Sequence, residues 1–369
     1  MSNFSKDNNN MLVDGYNFVY PKGLFVRSAA LLDYWQDICV NKKLICGDIG
    51  GTKTILQLVE ITAGNGRERL IQRYHSADFT SFSEILKDFL NRAGISNRPH
   101  AACFAVAGPI AGQQVRLTNL SWQFSSESLS SEFSIPVVKL LNDFEAVAVA
   151  IEHVPSSDLL TIQAGQAYPQ GMRVVLGAGT GMGVAWLPWL HDRYHALPTE
   201  AGHIDFAPVD SLQIQLLEAL HHRLGHVSVE RLLSGPGLTN IFRFLQQNDV
   251  DNFHSAPIEL EDDSGADITA LALMQHHPVA IQSLELFAEI YGAYAGNLAL
   301  AGLCRGGVYL AGGIAPKIAD VLCSGGFIKA FCAKGRFSAL LHEIPVHIVT
   351  NPQVGLLGAQ QEAQRLLNQ

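Results

Sequence analysis

Little in this chain is basic. Lys and Arg number 25 against 34 Asp and Glu, for a formal net charge of −9. A general nucleic-acid binder carries surplus positive charge to neutralise phosphates, so no nucleic-acid partner is expected. An anionic small substrate stays possible in principle, because backbone N–H groups and a metal can hold phosphates. Long apolar runs are also missing. No stretch approaches the roughly 18–20 residues needed to cross a bilayer, so no membrane partner is expected either. The polar segment Met1–Asn10 lacks the apolar core of a signal peptide. Cysteine is sparse, and none of Cys39, Cys46, Cys103, Cys304, Cys323 and Cys332 forms a C-x-x-C pair. Most lie in apolar runs, which reads as buried free thiols in a reducing compartment rather than a disulfide framework. The expected setting is a cytoplasmic enzyme.

What is present suits a well-packed α/β protein: 48% hydrophobic and 16% charged residues in a chain of 369, long enough for two domains. The most informative stretch is Leu44–Thr54, Leu-Ile-Cys-Gly-Asp-Ile-Gly-Gly-Thr-Lys-Thr. An apolar strand runs into Gly50-Gly51 and resumes through Ile55, Leu56, Leu58, Val59 and Ile61, which reads as a β-hairpin. Neither the helix nor the Gly-Lys-Ser/Thr ending of a P-loop follows. Gly-Gly turns are often only turns. Asp48 makes this one informative, because a phosphate cradle alone disfavours a carboxylate whereas a Mg²⁺-phosphate site uses one.

Further along, Arg69–Ser76 reads as a third strand, and a helix capped by Ser81 or Ser83 runs to about Ala93. Ala101–Ala107 is a buried strand, Gln113–Thr118 a short strand and Ser125–Glu132 a short helix. Val137–Leu141 is another buried strand, with Asn142-Asp143 at its C-terminal end and a helix from Phe144 to Ile151. A new unit starts near Arg173: strand 174–176, a second glycine turn over 177–183, and a strand from Val184. Helices are expected at 211–224, 228–233, 236–246, 266–276 and 278–301. Strand 307–310 leads to a third small-residue turn, Ala311-Gly312-Gly313, then a helix from about Pro316, strand 346–349 and a helix from about Val354. Residues 1–43 stand apart, with Asn8–Asn10 expected to be disordered and an apolar helical pattern over Leu24–Val40. Two units that each open with a glycine-turned hairpin would, face to face, bring both turns to one cleft.

Three candidate constellations follow. The three glycine turns would converge on one nucleotide, since ligands of open α/β sheets bind beyond strand C-termini. Asn142-Asp143 sits at a strand-to-helix junction, where it serves either as a helix N-cap or as a base that accepts a hydroxyl proton. Glu200, His203 and Glu230 are residue types that read sugar hydroxyls, although each alone reads equally as loop polarity. His203 with Asp205 lacks an evident third metal ligand. His221-His222 and His276-His277 read as surface residues on helices.

Taken together, Gly47-Asp-Ile-Gly-Gly-Thr52, Asn142-Asp-Phe144, Gly177-Ala-Gly-Thr-Gly181, Glu200-Ala-Gly-His-Ile-Asp-Phe-Ala-Pro208, Gly225-His-Val-Ser-Val-Glu-Arg231 and Leu233-Ser-Gly-Pro-Gly-Leu238 resemble the bacterial glucokinase family. The resemblance covers roughly residues 44–369. It implies the two-domain α/β fold of the actin-like/hexokinase (ribonuclease H-like) ATPases, with an interdomain cleft. The implied division is an N-terminal extension (1–43, partly disordered), a small domain (44–150 plus about 350–369) and a large one (151–349). It further implies phosphorylation of glucose at its 6-hydroxyl by ATP with Mg²⁺. By the match, Asp143 is the general base, and Asn142, Glu200, His203 and Glu230 bind the sugar. Gly47, Asp48, Ile49, Gly50, Gly51 and Thr52 cradle phosphates, with Asp48 near Mg²⁺ through water. Gly177, Gly179, Thr180 and Gly181 hold the phosphates from the other side, and Gly312 and Gly313 lie near adenosine.

The chain departs from the family at Thr199 and Ala201, where glycines are frequent, and at Lys53, where Asn is common. It lacks the cysteine-rich zinc motif of the related ROK kinases, so no structural zinc is expected. Oligomeric state stays open, a homodimer being one option. Three rival readings remain: a kinase for another hexose, a sugar-sensing regulator on the same fold, and an actin-like or chaperone ATPase. The short, non-basic 1–43 segment argues against the regulator. The Asn142, Asp143, Glu200, His203 and Glu230 set would have no purpose in the third.

Overall fold

The computed structural model describes residues 10–13, 16–19, 42–62, 65–94, 99–117, 120–248 and 258–367. The helical pattern expected over 24–40 lies outside them, as do Asn8, Asn9 and Cys39. Asn10, expected to be disordered, instead opens a short strand, Asn10–Val13, paired antiparallel with Tyr16–Val19.

Strands β1 (Lys42–Ile49) and β2 (Lys53–Thr62) form the expected hairpin, with Ile49 opposite Thr54 beside its turn. β3 (Asn65–His75) continues antiparallel. On the other edge of β1, β4 (Ala101–Val106) and then β5 (Val137–Asn142) add in parallel, so the sheet order is β5-β4-β1-β2-β3. β4 is buried along its whole length, as a parallel strand covered on both faces must be. Helices α1 (Phe82–Arg92), capped by Ser81 as expected, and α2 (Ser126–Phe133) cover one face through Phe82, Ile85, Phe89 and Leu129.

The second sheet repeats this plan. β6 (Leu159–Gln163), β7 (Arg173–Ala178), β8 (Met182–Leu187), β9 (Leu197–Thr199), β10 (Gly307–Ala311) and β11 (Val346–Val349) assemble in the order β6-β11-β10-β7-β8-β9. The β11-β10-β7 ladder is parallel, and β7-β8-β9 is antiparallel. Stripped of its edge strand β6, this is the order and sense of the first sheet. Helix α3 (Asp143–Ala150) follows β5 directly. The core of the second half is filled from α4 (Ser211–Leu224), α5 (Gly235–Asn248), α6 (Gly265–Gln275) and α7 (Pro278–Ala301).

The helix expected over 228–233 is only a 3-10 turn, Val229–Arg231. The Ser234 hydroxyl donates to the Glu230 carbonyl (2.7 Å) and the Gly235 N–H to the Gly179 carbonyl (2.9 Å), which turns the chain away before α5. The helix expected from Pro316 is likewise split, into a 3-10 turn (Ala315–Ile318) and a short helix (Ala319–Cys323). His276 is exposed, as expected, but neither it nor His277 lies within a helix. They are the C-cap of α6 and the N-cap of α7, and His277 lies against the Phe242 ring. Cys46, Cys103, Cys304 and Cys332 are buried free thiols, whereas Cys323 is exposed.

The C-terminal helix (Val354–Leu366) packs on the open face of the first sheet, against β1 and β4, through Leu356, Ala359 and Ala363. It crosses α3 so closely that a methyl group at Gly358 would collide with the Ala146 carbonyl. The other side of α3 lies against β7, β8 and β9 of the second sheet. Small side chains at Ala146, Ala148 and Ala150, all buried, let α3 sit between both halves.

Candidate active site

The β1–β2 turn is fixed by its backbone. The Gly50 N–H donates to the Lys53 carbonyl (2.9 Å), and the Ser76 N–H donates to the Thr52 carbonyl (2.9 Å). The Ser76 hydroxyl donates to the Gly50 carbonyl (2.8 Å) and lies 3.0 Å from Thr54 Oγ1. Ser76 is fully buried and was not singled out from the sequence, because a lone serine at a strand end carries no pattern. Gly47 and Ile49 are interior positions: a methyl at Gly47 would press on Leu56 and Phe104, and Ile49 is in the core. Thr52 and Lys53 are exposed.

Asp48 is half-buried at the C-terminal end of β1. Burial first, then the negative charge of Asp143, pushes its carboxyl up to about 6, while Lys53 pulls the other way. The first turn of the C-terminal helix faces it: a methyl at Gly355 would stand 3.7 Å from Asp48 Oδ2. The partial positive charge of a helix N-terminus is thus turned toward an acidic pair.

Of the two roles that the sequence left open, the helix cap falls to Asn142. Asn142 Oδ1 accepts the Phe144 and Glu145 N–H groups (3.0 and 3.4 Å), which caps α3, and its Nδ2 donates to the Gly108 carbonyl (3.3 Å). Asp143 Oδ1 accepts the Phe144 N–H (2.8 Å), and its side chain reaches solvent. Desolvation by the surrounding protein raises the Asp143 carboxyl above the usual range, outweighing that hydrogen bond. The result is a carboxylate more basic than a free aspartate.

Phe144 ties this junction to the second sheet. Its ring lies over Gly177 and Gly183, which are register partners in β7 and β8; a methyl at either would fall 2.6 or 2.5 Å from the ring. Next to Gly183, the Met182 N–H donates to Glu230 Oε2 (2.9 Å), and a methyl at Gly181 would stand 2.6 Å from the same oxygen. Gly202 packs directly on the Met182 carbonyl. The dipeptide Met182-Gly183 therefore anchors three of the expected groups at once: Asp143 through Phe144, Glu230 through a hydrogen bond, and the turn that carries Glu200 and His203. Gly179 closes the loop, donating to the Gly181 carbonyl (2.8 Å) and accepting from Gly235 (2.9 Å), with Thr180 exposed at its tip.

Glu200 ends the β9 segment, and His203 closes the 3-10 turn Ala201–His203. Thr199 pins this turn through its hydroxyl, which donates to the Val184 carbonyl (3.0 Å) and accepts the Ala201 N–H (3.2 Å). The Tyr294 hydroxyl donates to the Ala201 carbonyl (2.7 Å). The departure at Thr199 thus holds the loop through its hydroxyl, whereas Ala201 takes part only through its backbone. His203 Nε2 is 3.9 Å from Glu200 Oε2, too far for a hydrogen bond, and both side chains are largely exposed. Asp205 does not join His203. It pairs with His226 (2.7 Å), a contact twenty-one residues long that no local spacing signals. Gly312 takes φ of 82°, where a side chain would be strained, and a methyl there would stand 2.5 Å from the Ala178 carbonyl. Gly312 thereby lies beside the β7–β8 turn, with Gly313 exposed next to it.

A family model described as Glucokinase matches residues 45–366. The chain belongs to the glucokinase family. It is 42% identical to the glucokinase of Nostoc sp. over 339 residues, 88% of this chain and 99% of that one. It is 39% identical to the glucokinase of Yersinia pestis, over 85% of this chain and 94% of that one. The crystal structure of a glucokinase from an Antarctic psychrotroph superposes with a TM-score of 0.79 at 33% identity, covering 88% and 99% of the two chains. A glucokinase from Balamuthia mandrillaris, solved with glucose, shares the fold at 21% identity (TM-score 0.69, 92% and 99% covered). So does a ROK family glucokinase from Streptomyces griseus, solved with glucose and AMPPNP, at 19% identity (TM-score 0.57, 88% and 99% covered). The fold is that of the actin-like sugar kinases, and family membership makes the chain an ATP-dependent hexose kinase. The family's match begins beside the start of β1, leaving the first 44 residues outside it.

Proposed function

We propose that the chain phosphorylates glucose at its 6-hydroxyl with ATP, in the cytoplasm, as an entry step to glycolysis. The observation that carries the residue roles is the convergence on Met182-Gly183, which gathers a basic carboxylate and three sugar-reading groups from distant parts of the chain. Asp143 accepts the proton of the attacking hydroxyl; its raised pKa suits a base. Asn142 offers the second hydrogen of its amide to the sugar while its oxygen caps α3. Glu230 keeps one carboxylate oxygen on Met182 and presents the other to a hydroxyl. The 3.9 Å gap between Glu200 and His203 admits a hydroxyl that donates to one and accepts from the other. Phosphoryl transfer asks mainly for positioning and charge stabilisation, which this arrangement supplies.

The phosphates of ATP would lie between the 47–52 and 177–181 turns, with adenosine toward Gly312-Gly313. Asp48 and Asp143 raise a shared negative field, which a divalent cation fits. Among the described residues no cluster of three His, Cys, Asp or Glu could hold a metal by itself, so Mg²⁺ would share its ligands with the nucleotide phosphates and reach Asp48 through water. The cation would neutralise charge on the transferring phosphoryl group. The packing of the C-terminal helix on β1 and β4 supports a small domain of 44–150 plus about 350–369, with 151–349 forming the large one and the substrates between them.

A panel of glucose, mannose, fructose and N-acetylglucosamine with ATP, scored as kcat/KM in a coupled assay, tests this reading. Glucose should lead by at least tenfold. Preference for another hexose would reassign the substrate, and sugar-independent ATP hydrolysis would remove the sugar-kinase reading.

A further inference from the structure

A cavity of about 520 Å³ is lined by none of the residues assigned above. Its walls come from β5, α3 and the C-terminal half of the last helix, and from β7 and the Arg193–Ala196 segment. Its size falls within the range of small-molecule sites.

The charges in it are unevenly satisfied. Lys139 and Arg365 both pair with Glu362, the first at 2.6 Å, so that carboxylate is fully engaged. Arg173 and Arg193 have no ion pair among the described residues. Arg173 Nε is buried without a hydrogen-bond partner. Its guanidinium carbon lies 3.9 Å from the Tyr194 ring centroid and 5.8 Å from that of Tyr309, cation–π contacts that hold the charge in place. Arg193 Nε donates to His195 Nε2 (3.1 Å), leaving its terminal nitrogens free to turn inward. Two arginines without ion pairs on the wall of one cavity are matched by an oxyanion, which accepts from both. Glu145 and Glu152 also line the cavity, as acceptors for hydroxyls of such a ligand.

We propose that this cavity is a second ligand site, taking a small hydroxylated metabolite that carries a phosphate or carboxylate group, and that its occupancy is felt at the active site. Two helices give the route. α3 begins at Asp143 and the C-terminal helix begins beside Asp48, and both end on the cavity wall. A ligand bridging Arg173 and Arg193 to α3 would fix the second sheet against the helix pair, and so bias how the two acidic residues meet. This coupling, unlike the binding itself, rests on the kinase reading.

The test uses the full chain, with sn-glycerol 3-phosphate and citrate as probes and glycerol as the uncharged control. Thermal-denaturation titrations should show a saturable rise in Tm with at least one anion and none with glycerol. Arg193→Gln, which removes a partly exposed side chain, should leave the ligand-free Tm unchanged and weaken the apparent Kd at least tenfold, as loss of one charge-assisted hydrogen bond implies. Arg173→Gln should do the same; should it misfold, Arg193→Gln decides alone. No saturable shift with either anion overturns the proposal, as does a shift that Arg193→Gln leaves intact, because the anion then sits elsewhere. In the coupled assay the binding anion should change kcat/KM for glucose in the parent chain and not in Arg193→Gln. An unchanged kcat/KM in the parent, despite binding, overturns the coupling. Absence of glucose phosphorylation altogether would instead fail the kinase reading while leaving the anion site standing.

Discussion

The two glycine turns, at 47–52 and 177–183, sit at equivalent places in two sheets of the same strand order, yet they are built differently. The first is held by backbone and by one buried hydroxyl, Ser76, and presents a carboxylate, Asp48, whose charge the protein strains to keep. The second is held by what lies on it: the Phe144 ring over Gly177 and Gly183, and the Glu230 carboxylate against Gly181. In the first, glycine leaves open room, where a methyl at Gly50 would meet only the Lys53 carbonyl. In the second, much of that room is already filled by protein, and the glycines join the halves of the molecule. A duplicated plan has thus been divided between a charged, open turn and a packed, joining one.

The hardest way to break the contrast is at the junction that links them. Asp143→Asn keeps the α3 cap, which Asn142 provides, and removes only the base. Turnover should fall about 10²–10⁴-fold with glucose binding nearly intact, read from steady-state kinetics and calorimetry. Near-normal turnover would take Asp143 out of that role.

A matched pair of substitutions sharpens the comparison. Gly183→Val drives a side chain into the Phe144 ring and should destabilise the fold by about 1–3 kcal/mol in denaturant melts, raising KM for glucose as Glu230 and Asp143 shift. Gly50→Val meets the Lys53 carbonyl at the other turn and should raise KM for ATP several-fold, with little change for glucose. A reversed pattern would move the phosphate site.

The smallest effect tests the charge itself. The folded Asp48 carboxyl, near 6, lies above its unfolded value of about 3.9, so holding it ionised disfavours the folded state. That penalty is absent below about pH 4, grows as pH rises to about 6, and is complete above. Asp48→Asn should therefore gain about 1–2 kcal/mol in ligand-free stability at pH 7.5, and nothing at pH 4. A gain equal at both pH values would show that the carboxylate is not under strain.

Much of the fold is legible in the sequence itself. Continuous apolar runs marked the parallel strands, and Pro278–Ala301 was bounded correctly because its apolar pattern starts at a proline and stops at Gly302. Asn142-Asp143 is visible as a polar pair at a strand-to-helix junction, but the pattern alone does not separate a cap from a base. Edge elements were harder. Leu159–Gln163 was missed because an antiparallel edge strand with Thr161 and Gln163 carries no buried run. The expected helix at 228–233 failed because its apolar residues are buried around a single 3-10 turn, held by a hydrogen bond from Gly235 to a loop more than fifty residues earlier. The Asp205–His226 pair and the Phe144 seat failed to show for the same reason: they are set by tertiary contact, and local pattern carries no trace of it.

The C-terminal helix has a consequence for how the molecule is made. It covers the face of β1 and β4 that Leu44, Cys46, Ala101 and Cys103 line, yet it is encoded at the far end of the chain. On the ribosome, that apolar face has no cover until almost everything else has been synthesised. The sheet of β1 to β5, though it emerges before the second sheet, is finished only after it, and the turn bearing Asp48 takes its final surroundings only then.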